Sequence, residues 1–205
     1  MPLPTIAIVA FIVVLLIGLV LLLYGVGIFN RLVTLRNRVD NAFSQIEVQL
    51  KRRHDLIPNL VETVKGYMKH ERETLEAVIN ARKQAVGGLS NAASDPSNPE
   101  AMAMLAGAEQ GLSGALGRLF ALAEAYPDLK ANQNMAQLTE EITTTENKIG
   151  FARQAYNDSV TEYNTYRQTF PPMLFANAFG HTRDRELLQF EDENLNEAPK
   201  VSFEK

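Results

Sequence analysis

The sequence predicts an all-α protein: a single N-terminal transmembrane helix followed by an antiparallel up-and-down four-helix bundle. Three observations carry that prediction. No charged side chain precedes Arg31, and residues 5–27 form an almost unbroken apolar run. Beyond that run, apolar residues recur at helical spacing over long stretches bounded by Pro, Gly and Asn. The body is rich in Ala, Glu, Gln, Asn and Arg, with little clustering of β-branched residues, a composition that favours helix.

As a helix, residues 5–27 reach roughly 34 Å at about 1.5 Å per residue, enough to cross a hydrocarbon core of about 30 Å. A cleaved signal peptide fits less well. Residues 1–5 carry no Lys or Arg, the apolar run is long, and residues 24–29 show no small-residue cleavage pattern. With no cysteine in the chain, a lipidated Cys is excluded as the anchor. Arg31, Arg36, Arg38, Lys51, Arg52 and Arg53 follow the span against only Asp40 and Glu47. Positive flanks stay in the cytoplasm, so the N-terminus is expected outside and the body inside. The nearest basic residues also suit anionic lipid headgroups. Within the span, Gly18 and Gly25 lie seven apart, a weak small-residue seam, and no GxxxG is present.

The expected organisation is a transmembrane anchor over 1–30, a helical domain over 31–190 and an acidic mobile tail over 191–205. The formal net charge of −4 argues against a nucleic-acid partner. The first body segment repeats apolar residues at Leu32, Leu35, Val39, Ala42, Ile46 and Leu50, then at Ile57, Leu60, Val64, Tyr67, Leu75, Val78 and Ile79. Pro58 interrupts it, because proline has no N–H and clashes with the preceding turn. A break near Pro58, with Asp55 as the new cap, yields four segments that cover one another's apolar faces; a kinked long helix is the alternative.

Residues 87–99 read as a loop, after which Asn98, Pro99 and Glu100 start a helix carrying Met102, Leu105, Leu112, Leu116, Leu119, Ala123 and Tyr126. Gly107, Gly111, Gly114 and Gly117 weaken that helix; close approach of a neighbouring backbone is their expected purpose, and a mobile or broken segment is the alternative. Residues 126–129 form a turn. A long helix then runs from Leu129 to about Phe170, with a seam at Leu138, Ile142, Thr145, Ile149, Ala152, Tyr156, Ser159, Tyr163, Tyr166 and Phe170. Those steps of four and three are the 3.5-residue repeat of coiled-coil and bundle packing. Pro171 and Pro172 end it. Residues 173–179 form a short apolar helix or a docked loop.

No catalytic, cofactor-binding or metal-binding residue is predicted. His54-Asp55 and His70-Glu71 are the metal-flavoured pairs and His181 stands alone, but none has a second ligand at i+4. No nucleophile elbow or phosphate-binding glycine loop occurs. The sequon at Asn157 falls in a helix expected to face the cytoplasm and reads as accidental. Two polar patterns stand out. Arg53, Glu71, Glu146 and Arg153 lie on or beside apolar seams. Either opposite charges from different helices meet there, or each side chain snorkels to water along its stem. Tyr156-Asn157 and Tyr163-Asn164 repeat one dipeptide seven residues apart, which suits either a core tyrosine seam or a partner-binding stripe.

Residues 29–67, including Arg52-Arg53-His54-Asp55-Leu56-Ile57-Pro58-Asn59-Leu60-Val61, closely resemble the LemA family. So do His70-Glu71, Ala81-Arg82, the Leu138-x-x-Glu-Ile-x-x-Thr-Glu146 run, and Ile149-x-x-Ala-Arg153-x-x-Tyr-Asn157-x-x-Val-x-x-Tyr-Asn164 leading to Phe170-Pro171. Phe29-Asn30 departs slightly, standing where relatives tend to carry Tyr-Asn. The resemblance implies a bacterial inner-membrane protein with a short N-terminus outside and a cytoplasmic antiparallel four-helix bundle. It brings no established enzymatic activity, and the family's gene neighbourhoods hint at complexes with other membrane proteins. The expectation is a non-enzymatic scaffold, held in the lipid bilayer through residues 5–27, for other membrane proteins or for its own copies. A membrane-shaping homo-oligomer is the alternative. An enzyme with a carboxylate or metal site fits less well, since it needs inward Glu and His at i, i+3 from facing helices.

Overall fold

The computed structural model describes residues 3–190, which are helical with no strand among them; the acidic tail expected at 191–205 lies outside the described residues. The elements are α1 (Leu3–Lys65), α2 (Arg72–Ser94), α3 (Pro99–Ala123), α4 (Pro127–Lys130), α5 (Gln133–Gln168) and α6 (Pro172–Ala176). The described residues divide into two compact units: 3–46 with 151–187, and 47–150 with 188–190. Helices α1 and α5 each contribute to both.

In the first unit, α1 from Ile8 onward begins with side chains that face outward, long and apolar enough to cross a membrane. Further along, Ile28, Leu32, Leu35, Val39, Ala42, Phe43 and Ile46 are buried, following the predicted seam. Tyr156, Val160 and Tyr163 of α5 are buried in the same unit, and the Phe43 and Tyr156 rings lie 5.9 Å apart edge to face. The seam ends sooner than predicted: Phe170 is exposed. After α6 the chain turns at Gly180, whose φ of 81° is the left-handed conformation that glycine alone adopts freely. His181 N–H donates to the Ala176 carbonyl at 2.9 Å and Gly180 N–H to that of Asn177 at 3.2 Å, the hydrogen-bond pair of a Schellman close.

The second unit corrects the expected break at Pro58. Helix α1 runs through Pro58 and stops at Lys65, and the reversal comes at residues 66–71. The proline lacks the N–H that would bond the His54 carbonyl one turn earlier. That carbonyl instead accepts from Arg82 Nε of α2 at 2.6 Å, so the gap in the ladder is filled by a side chain. Sequence spacing could not show this, because the substitute donor arrives from a different helix.

Two further expectations are revised. Helix α2 continues through Gly87 and Gly88 to Ser94, leaving only residues 95–98 as the loop. Gly88 is the point of close approach: a Cβ there would lie 3.2 Å from the Leu105 Cα and 3.4 Å from the Met104 carbonyl of α3. The glycines of α3 do not have that role, since a Cβ at Gly107, Gly111, Gly114 or Gly117 would meet nothing within 4 Å. The long helix begins at Gln133 and not Leu129, because Asn132 caps it, its Oδ1 accepting from the N–H groups of Asn134 and Met135 at 2.9 and 3.1 Å. The Asn98 cap of α3 stands as predicted, accepting from Glu100 and Ala101. A core of Ile57, Leu60, Val64, Val78, Leu112, Leu119, Leu129 and Ile142, among others, fills this unit.

Candidate functional site

The apolar seams contain gaps, and in the second unit those gaps hold charge. On α1 the step from Leu50 to Ile57 passes through Arg53; on α3 the step from Leu105 to Leu112 passes through Glu109. Both side chains sit at seam positions and both are shut away from water, at about 1% exposure each. They form an ion pair through Arg53 Nη2 and Glu109 Oε2. Glu109 uses its other oxygen for His54 Nε2 at 2.8 Å. Arg53 Nη1 reaches Glu146 of α5, whose side chain is 48% exposed, and Ser113 Oγ at 3.3 Å. Three helices thus converge on one guanidinium, and α2 joins through Arg82 on the His54 carbonyl.

Pairing therefore prevails over snorkelling for Arg53 and Glu146. The other two charges of that predicted group lie elsewhere. Glu71 accepts from the Tyr126 hydroxyl at 3.1 Å, and Arg153 belongs to the first unit. Glu109 and His54 were missed as partners; the signal for Glu109 was the empty seam position between Leu105 and Leu112. Taking two charges out of water is costly, and the arrangement holds because both oxygens of Glu109 are used. The Arg53 Nε has no partner among the described residues. The buried charges of Arg53 and Glu109 are internal and paired with one another. Beside them, an open groove of about 290 Å³ is lined by Lys51, Asp55, Arg82, Val86 and Ser90, among others. His70 is exposed, and no cluster of three His, Asp or Glu side chains suited to a metal ion occurs among the described residues.

The repeated Tyr-Asn dipeptides act in the first unit. Residues 180–187 lie as a strap along α5, and the repeat clasps it. Tyr156 Oη donates to the Glu186 carbonyl at 2.9 Å. Asn164 bonds the Arg185 backbone twice, its Nδ2 donating to the carbonyl and its Oδ1 accepting from the N–H, each at 2.8 Å. Tyr163 Oη lies 3.0 Å from His181 Nδ1. Arg167 adds donations to the His181 and Thr182 carbonyls and an ion pair with Asp184 at 2.5 Å. The strap is tied to α1 as well, through Arg185 and Asp40 at 3.0 Å. Burial pushes the Tyr156 hydroxyl up to about 12. Burial, with Arg36, Arg167 and Arg185 nearby, lowers the pKa of His181. The tyrosines are thus core residues whose hydroxyls hold the chain's own strap.

The fold defines a class: an all-helical protein with one apolar N-terminal helix long enough to span a bilayer, its helices registered by internal polar clasps. A model of the LemA family matches residues 42–203. Protein LemA of Metamycoplasma hominis is 32% identical over 157 residues, covering 77% of this chain and 67% of that one. Magnetosome protein MamQ of Magnetospirillum gryphiswaldense is 25% identical over 173 residues, covering 76% of this chain and 62% of its own length. Magnetosome protein MamQ 2 of Paramagnetospirillum magneticum matches to the same extent. The chain belongs to the LemA family.

Proposed function

We propose that this chain is a membrane-tethered, non-enzymatic scaffold. Its helices would assemble neighbouring membrane proteins at the inner face of the bacterial inner membrane. The observation that carries the reading is the apolar start of α1, with outward-facing side chains from Ile8 on, leading directly into Arg31, Arg36 and Arg38. In this orientation the N-terminus is outside and the remainder cytoplasmic. The second unit is an antiparallel four-helix bundle made of the end of α1, α2, α3 and the start of α5, joined by short connections. The commitment of its buried charges to one another supports a structural role for them. Tethering raises the local concentration of the bundle for lateral partners.

The test is crosslinking of the tagged full chain in intact membranes, followed by detergent purification and mass spectrometry. The expected result is a defined set of co-purifying membrane proteins, or discrete multimers of the chain itself. Recovery of monomer alone, with no accompanying protein, overturns the scaffold reading.

A further inference from the structure

Large apolar side chains crowd one end of the first unit. Phe170 is 76% exposed, Leu174 63% and Met173 53%. Grouped exposed apolar side chains mark a contact surface. No acidic residue stands between Glu162 and Asp184, whereas Arg167, His181 and Arg183 do.

Ring contacts join this patch to α1. Phe29 meets Phe179 edge to face with centroids 5.3 Å apart, and Phe179 stacks on Phe175 at 6.0 Å. Its level along α1 follows from two contacts. Arg31 pairs with Glu162 at 2.5 Å, and Phe43 packs on Tyr156, so within this unit the contacts run in opposite directions along α1 and α5. Extending those two contacts at about 1.5 Å per residue puts Phe170 roughly level with residues 23–29 of α1. There the apolar run gives way to Phe29, Asn30 and Arg31.

We infer that residues 170–179 form a second membrane contact, with Phe170, Met173 and Leu174 resting in the interfacial layer of the bilayer that α1 crosses. The inference rests on the anchoring reading above. Aromatic and long apolar side chains favour that layer, and the exposed Arg183 suits anionic headgroups. Phe151 provides the contrast: it is 75% exposed on the same α5, yet stands roughly 28 Å back along the helix, at about 1.5 Å per residue, and faces water.

The absence of cysteine permits a direct test. Nitroxide labels are placed singly at Leu16→Cys, Phe151→Cys and Leu174→Cys in the full chain. The labelled proteins are reconstituted in phosphatidylethanolamine–phosphatidylglycerol vesicles, and collisions with oxygen and with a water-soluble nickel chelate are measured. Leu174 is exposed, so its replacement leaves the core intact, and unchanged circular dichroism verifies this. The expected result is loss of nickel collisions at Leu174, as at Leu16, with oxygen collisions retained, while Phe151 keeps its nickel collisions. A nickel-accessible Leu174 beside a shielded Leu16 overturns the second contact and leaves the anchor standing. A Leu174 label shielded from both quenchers also overturns it, indicating a protein neighbour. A nickel-accessible Leu16 removes the anchor and the inference with it.

Discussion

At the scale of single residues, Arg53 and Glu109 dominate. Each is enclosed, so each makes the other tolerable. Glu109→Ala strands a buried guanidinium, and the expected loss is about 3–5 kcal/mol in chemical denaturation. Glu146→Gln removes a partner that is 48% exposed, where solvent screening reduces the loss to about 1 kcal/mol or less. Combining Arg53→Met with Glu109→Leu recovers most of the loss, because a buried ion pair is replaceable by apolar residues of similar volume. Equal losses for Glu109→Ala and Glu146→Gln would refute the ranking. The sequence placed both Arg53 and Glu146 beside seams, but their shared centre was not legible. Glu109 lies far from either along the chain, and only folding brings its carboxylate between them.

At the scale of elements, the continuity of α1 through Pro58 depends on α2. A proline inside a helix costs about 3 kcal/mol when its orphaned carbonyl goes unmet. Here Arg82 meets it. The prediction is a coupling: Arg82→Leu is clearly destabilising beside Pro58 but much less so in the Pro58→Ala background, where the restored backbone N–H at position 58 serves the His54 carbonyl. A double-mutant cycle measures it, and identical losses in the two backgrounds would count against the assignment. The same contact explains why a proline that reads as a helix boundary is no boundary. The propensity signal is real, and a tertiary hydrogen bond overrides it. Gly88 is a parallel case. Two adjacent glycines read as loop, yet at Gly88 α3 packs so closely that an added Cβ would press on its backbone.

At the scale of the molecule, the strap makes stability depend on pH at both ends of the range. His181 has its folded pKa depressed below 6.5. The unfolded chain therefore binds the proton first, and stability falls as pH drops through about 6.5 and below. Tyr156 moves the other way: its folded value of about 12 lies above the ordinary 10, so stability falls as pH rises between them. Thermal melts across pH should show a plateau between these limits. His181→Gln should flatten the acid limb, since no ring then charges beside Arg36, Arg167 and Arg185; an acid limb unchanged by that substitution would exclude His181 as its source.

The sequence by itself determined the all-helical class, the apolar N-terminal helix, the cap at Asn98 and the seams of α1 and α5, because each is encoded by residues within a turn or two of one another. It also carried the family, through motifs long enough to be specific. Only the tertiary structure decided where α1 stops, which glycine admits a neighbouring helix, and that the Tyr-Asn repeat clasps the chain's own strap. It alone joined Arg53 to Glu109. Those outcomes depend on groups distant in sequence meeting in space, where the desolvation of a charge or the filling of one orphaned carbonyl outweighs the local preference that spacing can reveal.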